Sequence, residues 1–437
     1  MSRTLRIGLL GCGTVGTGIL RLLHDNASMI EGRLGGHIEI TRIAVRDPKK
    51  VRDQVVSPRI VTDDAMNVVR DPQIDIVVEV MGGLEPAGSL LRAALEQGKH
   101  VVTANKALLA EKGDELLQKA EAGGVDLYFE AAVAGGIPII RVLREALASD
   151  RIVALRGIVN GTSNYILSRM ADDSLEFAEA LKAAQEAGYA EADPTLDISG
   201  GDAQHKLAIL ATMAFGAKVH PSEILREGIE TITQIDMRFA ERFGYVIKSL
   251  AIARALPDGA LDLRVHPTLV PEGSVLANVS GALNAVEVEG AMVGSCLFSG
   301  LGAGALPTAT SVVSDIVDVG RNLLINAHGR VPSRSFRGEA LRDFPVRDPG
   351  EQICRFYLHF SAADEPGVLA KIAGVLGEQK VSIDQMVQEG QGTSDKPVSV
   401  VILTHHAPAR AVYEALSTID ALKPLIMAPS RAIRIEG

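Results

Sequence analysis

Through its first 150 residues the chain alternates short apolar runs with amphipathic stretches. "LRIGLLG" (5–11), "IEITRIAV" (38–45), "IDIVVEVMG" (74–82), "HVVTAN" (100–105) and "VDLYFEAAV" (125–133) read as strands, apolar enough to be buried on both faces. Between them, residues 15–30 put Val15, Ile19, Leu22, Leu23 and Ile30 on one helical face, and "EPAGSLLRAALEQGK" (85–99) reads as a second helix. Strands joined by helices predict a parallel sheet covered on both sides.

The pattern changes after residue 150. A helical stretch is expected over about 162–231, followed by longer strands in "YVIKSLAIARAL" (245–256), "LDLRVHPTLVP" (261–271) and "AVEVEGAMVG" (285–294). An α+β domain over 151–306 follows, with helices on one face of a sheet that is a candidate dimer interface. Residues 307–325 are helical again, with Val312, Val313, Ile316, Val319 and Leu323 on one face, and are expected to return to the first domain. Residues 328–352 are rich in Arg, Pro and Gly and read as a linker. From 353 to 437 the order is strand "CRFYLHFSA", helix "PGVLAKIAGVLGEQ" opened by Pro366, strands "VSIDQMVQE" and "VSVVILTHH", helix "PARAVYEALSTIDAL" and strand "IMAPSRAIRI". That is βαββαβ, a ferredoxin-like module. The expected fold class is therefore α/β: a Rossmann-type parallel sheet domain over 1–150, the α+β domain, and the C-terminal module.

A chain of 437 residues is too long for one core, which agrees with two or three domains. Its 47% apolar and 22% charged content is that of a folded protein. A net charge of −10 argues against nucleic-acid and anionic-membrane partners, which want a basic face. No apolar run approaches the roughly 20 residues of a membrane span, and "MSRTLRIGLLG" lacks a signal-peptide pattern. Cys12, Cys296 and Cys354 are widely separated and in no metal-ligand spacing. The expected compartment is cytoplasmic.

Gly11-Cys12-Gly13-Thr14-Val15-Gly16 is G-x-G-x-x-G between a strand and a helix. Such a loop lets a backbone approach a pyrophosphate, which the N–H groups of the helix N-terminus then receive. At the end of the second strand an acid favours NAD and a base favours NADP. Arg46 and the nearby Lys49 and Lys50 could hold a 2′-phosphate, while Asp47 could bind a ribose hydroxyl. The balance of charge leans to NADP, with NAD open. Thr103 ends a strand and is placed to cap the next helix, with Lys106 on its first turn at the carboxyl edge of the sheet. Asp202 and Lys206 stand four apart on a helix whose apolar face carries Leu207, Leu210, Ala211 and Ala214. By spacing alone they are a surface ion pair worth about 0.3–0.5 kcal/mol.

The segment A-x3-G-Y-A-x2-D-P-x2-D-I-x-G-x-D-x3-K, from Ala184 to Lys206, resembles the signature of the homoserine dehydrogenase family. "TANKALL" (103–109), "AAVAGGIPII" (131–140), "GIVNGTSNYIL" (157–167) and "GLGAGALPTATSVVSDI" (300–316) are also similar to that family, and "DEPGVLAKIAGVL" (364–376) resembles an ACT regulatory domain. With no kinase domain before the first strand, the monofunctional form is expected. The resemblance implies interconversion of L-aspartate 4-semialdehyde and L-homoserine with NADP or NAD, a step towards threonine, methionine and isoleucine. It implies that Lys206 transfers the proton, that Glu191 and Asp202 bind the amino acid, and that Lys106 is a second lysine at the reacting centre. Gly11, Gly13, Thr14, Val15, Gly16, Thr103, Lys106, Gly188 and Gly304 match cofactor contacts. Glu130, Val133, Gly135 and Ile137 match a monovalent-cation site, for sodium. Asp197 and Tyr189 are further pocket candidates; Asp197 orients a lysine or caps its loop, and Asp193-Pro194 makes a turn. His205 points about 100° away from Lys206 on the helix.

An ordinary lysine titrates near about 10.4, and a neighbouring aspartate favours its charged form. Lys206 therefore fits the general acid of the reductive direction, with Lys106 able to assist or to donate itself. The ACT-like module implies feedback by an amino acid, with threonine as the expected effector and the backbone after Gly367 as a carboxylate receiver. A homodimer or homotetramer is expected. The competing readings are another NAD(P)-dependent amino-acid or aldehyde dehydrogenase, and a non-catalytic sensor of dinucleotide and amino acid.

Overall fold

A computed structural model describes residues 3–390 and 397–436; residues 391–396 and 437 of the expected C-terminal module lie outside the described residues. The chain forms two compact units, each discontinuous in sequence. The first comprises Met1–Gly161, Asp202–Ile224 and Ala282–Phe344, the second Thr162–Gly201, Leu225–Gly281 and Pro345–Gly437.

The first unit is built on a six-stranded sheet of β1 (Thr4–Leu10), β2 (His37–Ala44), β3 (Val61–Thr62), β4 (Ile76–Glu79), β5 (His100–Thr103) and β6 (Leu127–Tyr128), in the order 3-2-1-4-5-6. Every neighbouring pair is parallel. The order reverses between β1 and β4, so the crevice beyond their carboxyl ends is the switch point where such sheets bind ligands. Leu5, Ile7, Leu9, Ile76, Val78 and Val102 are fully buried. They share one core with Ala309, Val312, Ile316 and Val319 of the helix Ala305–Leu324.

Some expected elements differ. The helix over 15–30 is two helices, Thr14–Asp25 and Ala27–Leu34, because Asn26 leaves helical geometry at φ −113°, ψ 18°. In "VDLYFEAAV" only Leu127–Tyr128 is strand, and the chain then turns through Glu130–Ala132. Its apolarity reflects burial, which a strand and a packed turn share. The stretch 162–231 is four helices, Gly161–Asp173, Phe177–Glu186, Thr195–Ile198 and Gly201–Phe215, and helix ends at Gly216, whose φ is +64°. Besides two-residue strands such as β3, two longer strands escaped the pattern, Ile152–Ile158 and Gly294–Leu301; Leu283–Gly290 pairs antiparallel with both. Gly294–Leu301 is exposed or half-buried throughout, so it lacks the apolar alternation that marks a covered strand.

In the second unit the strands Tyr245–Ala255 and Leu261–Pro271 pair antiparallel. The C-terminal module is βαββαβ, with strands Ile353–Ala362, Ile383–Glu389, Val398–Thr404 and Ile426–Ile435 and helices Val368–Glu378 and Ala409–Asp420. Its last strand also pairs parallel with Leu261–Pro271, through Thr268 with Arg434 and Leu269 with Ile435. The module's sheet is thus continuous with the rest of its unit.

The Arg-rich stretch 328–352 contains the change from the first unit to the second, between Phe344 and Pro345, and is held to each unit at separate points. Arg334 is buried in the first unit and ion-paired to Asp114 and Glu121. Gln352 donates to Asp262 in the second unit at 2.8 Å. Some of its arginines pair with acids of the folded units. Among the described residues no helix is long and apolar enough to cross a membrane.

Candidate active site

The glycine loop follows β1 directly. Gly11 has φ +103°, a left-handed backbone that only glycine adopts at low cost, and its N–H donates to the Ala44 carbonyl at 2.9 Å. A Cβ on Gly16 would lie 2.5 Å from the Gly11 carbonyl, so the helix Thr14–Asp25 can start this close to the strand only with glycine there. Nothing stands within 4 Å of a Cβ built on Gly13, the N-cap of that helix, so the approach to its free N–H groups is open. Thr14 is exposed at the helix start, whereas Val15 packs against the core.

A cleft of about 920 Å³ opens here, lined by Gly11, Cys12, Gly13, Arg46, Asp47, Lys50 and Arg52 among others. The Asp47 carboxylate accepts from the Lys49 N–H at 2.9 Å and so closes its own turn. Arg52 donates to the carbonyls of Asp47 (2.6 Å) and Lys50 (2.8 Å), which holds a third cation at the cleft. Sequence reading had not singled out Arg52; its only signal was its place in a basic run.

Glu79, at the end of β4, was also missed. It is fully buried, accepts from the N–H groups of Met81 (2.7 Å) and Gly82 (3.0 Å), and takes the Thr103 hydroxyl at 2.6 Å. Thr103 is fully buried; its side chain ties β5 to β4 and accepts from the Asn105 N–H at 3.1 Å, and it is not the cap of the next helix. The cap is Asn105, whose side chain accepts from Leu108 N–H at 3.1 Å and donates to the Gly83 carbonyl at 2.7 Å. The helix Lys106–Gly123 starts there, with Lys106 on its first turn.

Lys106 meets the opening stretch of another helix. Its Nζ lies 2.5 Å from Asp202 Oδ1, while Lys206 Nζ donates to Asp202 Oδ2 at 2.8 Å and to the Val159 carbonyl at 2.6 Å. Asn160 Nδ2 donates to the same Oδ2 at 2.8 Å. Asp202 is 2% and Lys206 8% exposed, which rules out the surface pair that spacing suggested. Burial alone would push the Asp202 carboxyl up, but the ammonium groups of Lys206 and Lys106 outweigh it and hold the carboxyl well below the usual range. Asp202 is therefore ionised between two cations. Both of its oxygens meet protein cations, so it bridges the two lysines, and each oxygen keeps a further lone pair. His205 is turned from this cluster, with Nε2 3.8 Å from Glu111, which also pairs with His220 at 3.1 Å.

Gly188, Tyr189, Glu191 and Asp197 belong to the second unit. Gly188 has φ +77°, and the half-exposed Tyr189 ring lies 4.7 Å from that of Tyr165. Glu191 is exposed. The Asp197 carbonyl accepts from Ser163 at 3.0 Å, and Asp193 accepts from the Thr195 N–H at 3.1 Å, closing the expected turn. Gly304 is the N-cap of Ala305–Leu324, at φ +119°.

Glu130 is buried, and its two oxygens accept from the N–H groups of Ile140 (2.9 Å) and Arg141 (2.8 Å). Burial, then the Asp315 carboxylate, push it up to about 8. The Arg141 guanidinium and the two N–H groups offset this only in part. Val133, Gly135 and Ile137 follow on the same turn; the Gly135 carbonyl accepts from Ser311 at 2.6 Å and that of Ile137 from Ile139 at 2.8 Å, each keeping a second lone pair. Carboxylate and carbonyl oxygens are the donors a hard monovalent cation takes, so these residues fit one. Among the described residues no group of three or more His, Cys, Asp or Glu side chains forms a metal cluster.

A dinucleotide loop at a switch point, together with a buried Lys–Asp–Lys cluster, defines an NAD(P)-dependent oxidoreductase. Comparisons narrow the class. The family models for the homoserine dehydrogenase NAD-binding domain, homoserine dehydrogenase and the ACT domain match residues 11–130, 138–317 and 356–421. The homoserine dehydrogenase of Pseudomonas aeruginosa is 44% identical over 99% of both chains. The crystal structure of a homoserine dehydrogenase from Thiobacillus denitrificans superposes with TM-score 0.93 at 47% identity, covering 100% of this chain and 99% of that one. A hyperthermophilic archaeal homoserine dehydrogenase solved with NADPH covers 72% of this chain and 98% of its own, at 26% identity and TM-score 0.63. The chain belongs to the homoserine dehydrogenase family.

Proposed function

We propose that the chain reduces L-aspartate 4-semialdehyde to L-homoserine with NADPH in preference to NADH, and that the Lys106–Asp202–Lys206 cluster manages the proton. The observation that carries this reading is the burial of Asp202 between the two lysines. The nicotinamide, when bound, supplies the hydride to the aldehyde carbon. Lys206, kept charged by Asp202, gives a proton to the carbonyl oxygen as it gains negative charge, a contribution worth about 10²–10⁴ in rate. Lys106, whose side chain is 37% exposed against 10% for Lys206, stabilises the same oxygen. By the family resemblance the amino-acid ligands are Glu191 and Asp202.

Arg46, Lys50 and Arg52 around the cleft support NADP, as does the archaeal relative solved with NADPH. A monovalent cation, sodium by resemblance, is held by Glu130 with carbonyls of Val133, Gly135 and Ile137. Sodium chloride should then raise the melting temperature above that in N-methylglucamine chloride at equal ionic strength, and Glu130→Gln should abolish the difference. Equal melting temperatures of the unaltered protein in the two salts would remove the cation from the account.

Threonine acts at the C-terminal module, where Gly367, at φ +92°, caps Val368–Glu378 and leaves its first N–H groups towards a carboxylate. The chain associates as a homodimer or homotetramer. The edge strand Gly294–Leu301, with Leu297 38% and Leu301 56% exposed, supports that reading, and sedimentation equilibrium reads it directly.

Initial rates with aspartate semialdehyde test the whole reading. NADPH should be used at a higher kcat/KM than NADH, and threonine should lower the rate. Arg46→Ala should raise KM for NADPH roughly tenfold and leave that for NADH within about twofold. Equal use of both cofactors by the unaltered chain would overturn the NADP assignment, and no oxidation of either would favour the sensor.

A further inference from the structure

Lys248, on the strand Tyr245–Ala255 of the second unit, is 3% exposed. Its ammonium donates to the Val279 carbonyl at 2.7 Å. Among the described residues no carboxylate stands within ion-pairing reach, and the acid whose charge it feels is Asp172. Burial pushes this lysine down to about 8, which Asp172 offsets only in part. A buried ammonium without a counter-ion is costly, and a structure that keeps one has a use for its charge or its neutral amine.

Lys248 lines a pocket of about 870 Å³ whose other walls include Ser168, Asp172, Glu241, Glu272 and Ser280. Ser168 is buried with the lysine, whereas Asp172, Glu241 and Glu272 are exposed at the rim. The pocket's other cation, Arg238, is already paired to Glu389 at 2.9 Å, and Glu176 is taken up capping Phe177–Glu186. Charge therefore runs from a positive floor to a negative rim. None of the residues assigned above to substrate, cofactor, cation or the C-terminal module lines this pocket.

We propose that this pocket binds a small zwitterionic amino acid, with its carboxylate on Lys248 Nζ and its ammonium towards Asp172 and Glu272. The carboxylate supplies the counter-ion that the protein withholds, and an ion pair formed out of water is stronger than one at the surface. The site is an effector site outside the C-terminal module.

Equilibrium dialysis of the full chain with labelled L-leucine tests this, with 4-methylpentanoate (no ammonium) and 3-methylbutylamine (no carboxylate) as competitors. Saturable leucine binding is expected, weakened at least roughly tenfold by Lys248→Met and by each competitor's missing charge. Asp172→Asn with Glu272→Gln, both at exposed positions, should weaken leucine but leave 4-methylpentanoate unchanged. This pair keeps the test decisive if Lys248→Met fails to fold. No saturable binding at millimolar leucine overturns the proposal, as does binding unaffected by Lys248→Met or by the rim pair. If 4-methylpentanoate binds as tightly as leucine, the site takes a simple carboxylate and the zwitterion assignment is wrong.

Discussion

Lys206→Ala is expected to lower kcat for aspartate semialdehyde by at least about a hundredfold while the dissociation constant for NADPH stays near that of the unaltered protein. The reason is positional. Lys206 Nζ is fixed by Val159 and Asp202 on the helix Gly201–Phe215, whereas the dinucleotide loop stands on β1 and the helix after it. Losing the lysine removes the proposed proton donor and leaves the dinucleotide loop intact. Lys206→Arg keeps the charge but donates from a broader fork, so it should recover little of the rate. A near-normal kcat in Lys206→Ala would move the proton transfer elsewhere, with Lys106 the next group to test by the same substitution.

Asp202→Asn should cost both rate and stability. The amide keeps the shape but no longer balances two ammonium groups, and Lys206 is too buried for water to replace the lost charge. Breaking a buried pair by removing one partner costs about 3–5 kcal/mol. The pH dependence has a definite sign. The folded Asp202 carboxyl lies below its unfolded value, so its stabilisation is complete above about pH 3.9 and fades as the pH falls through the lower folded value. The gap in urea midpoint between the unaltered protein and Asp202→Asn should be wide at neutral pH and narrow below about pH 4. A gap that is absent at neutral pH, or that widens in acid, would contradict the ionised bridge.

Features set by backbone geometry were legible in the sequence. The glycine loop could be read because a left-handed turn and a close helix start exclude every side chain but hydrogen, as Gly11 and Gly16 show. The six elements of the C-terminal module were legible because most of them carry apolar residues that share one core. Burial itself was not legible. Asp202 and Lys206 have the spacing of any surface pair, and only the fold encloses them with Val159 and Asn160, more than forty residues away in sequence. Glu79 looked like the polar end of an apolar strand, although a lone acid in "IVVE" is a signal in retrospect. The burial of Arg334 was not legible because its partners, Asp114 and Glu121, lie some two hundred residues earlier. Gly294–Leu301 was missed because its exposed positions carry no pattern to read.

Asp202 illustrates what geometry adds to a resemblance. The family resemblance made it an amino-acid ligand, while the structure engages its carboxylate with two lysines and an asparagine. Sequence similarity carried the identity of the residue faithfully, but the partners of its oxygens decide what it can bind.

The most direct test of the proton-transfer cluster is a single-turnover measurement. The protein is preloaded with NADPH and mixed with excess aspartate semialdehyde, and the loss of nicotinamide absorbance is followed for the unaltered chain and for Lys206→Ala. The account predicts that the variant binds NADPH normally and transfers hydride at least about a hundredfold more slowly. An unchanged single-turnover rate in Lys206→Ala would contradict it.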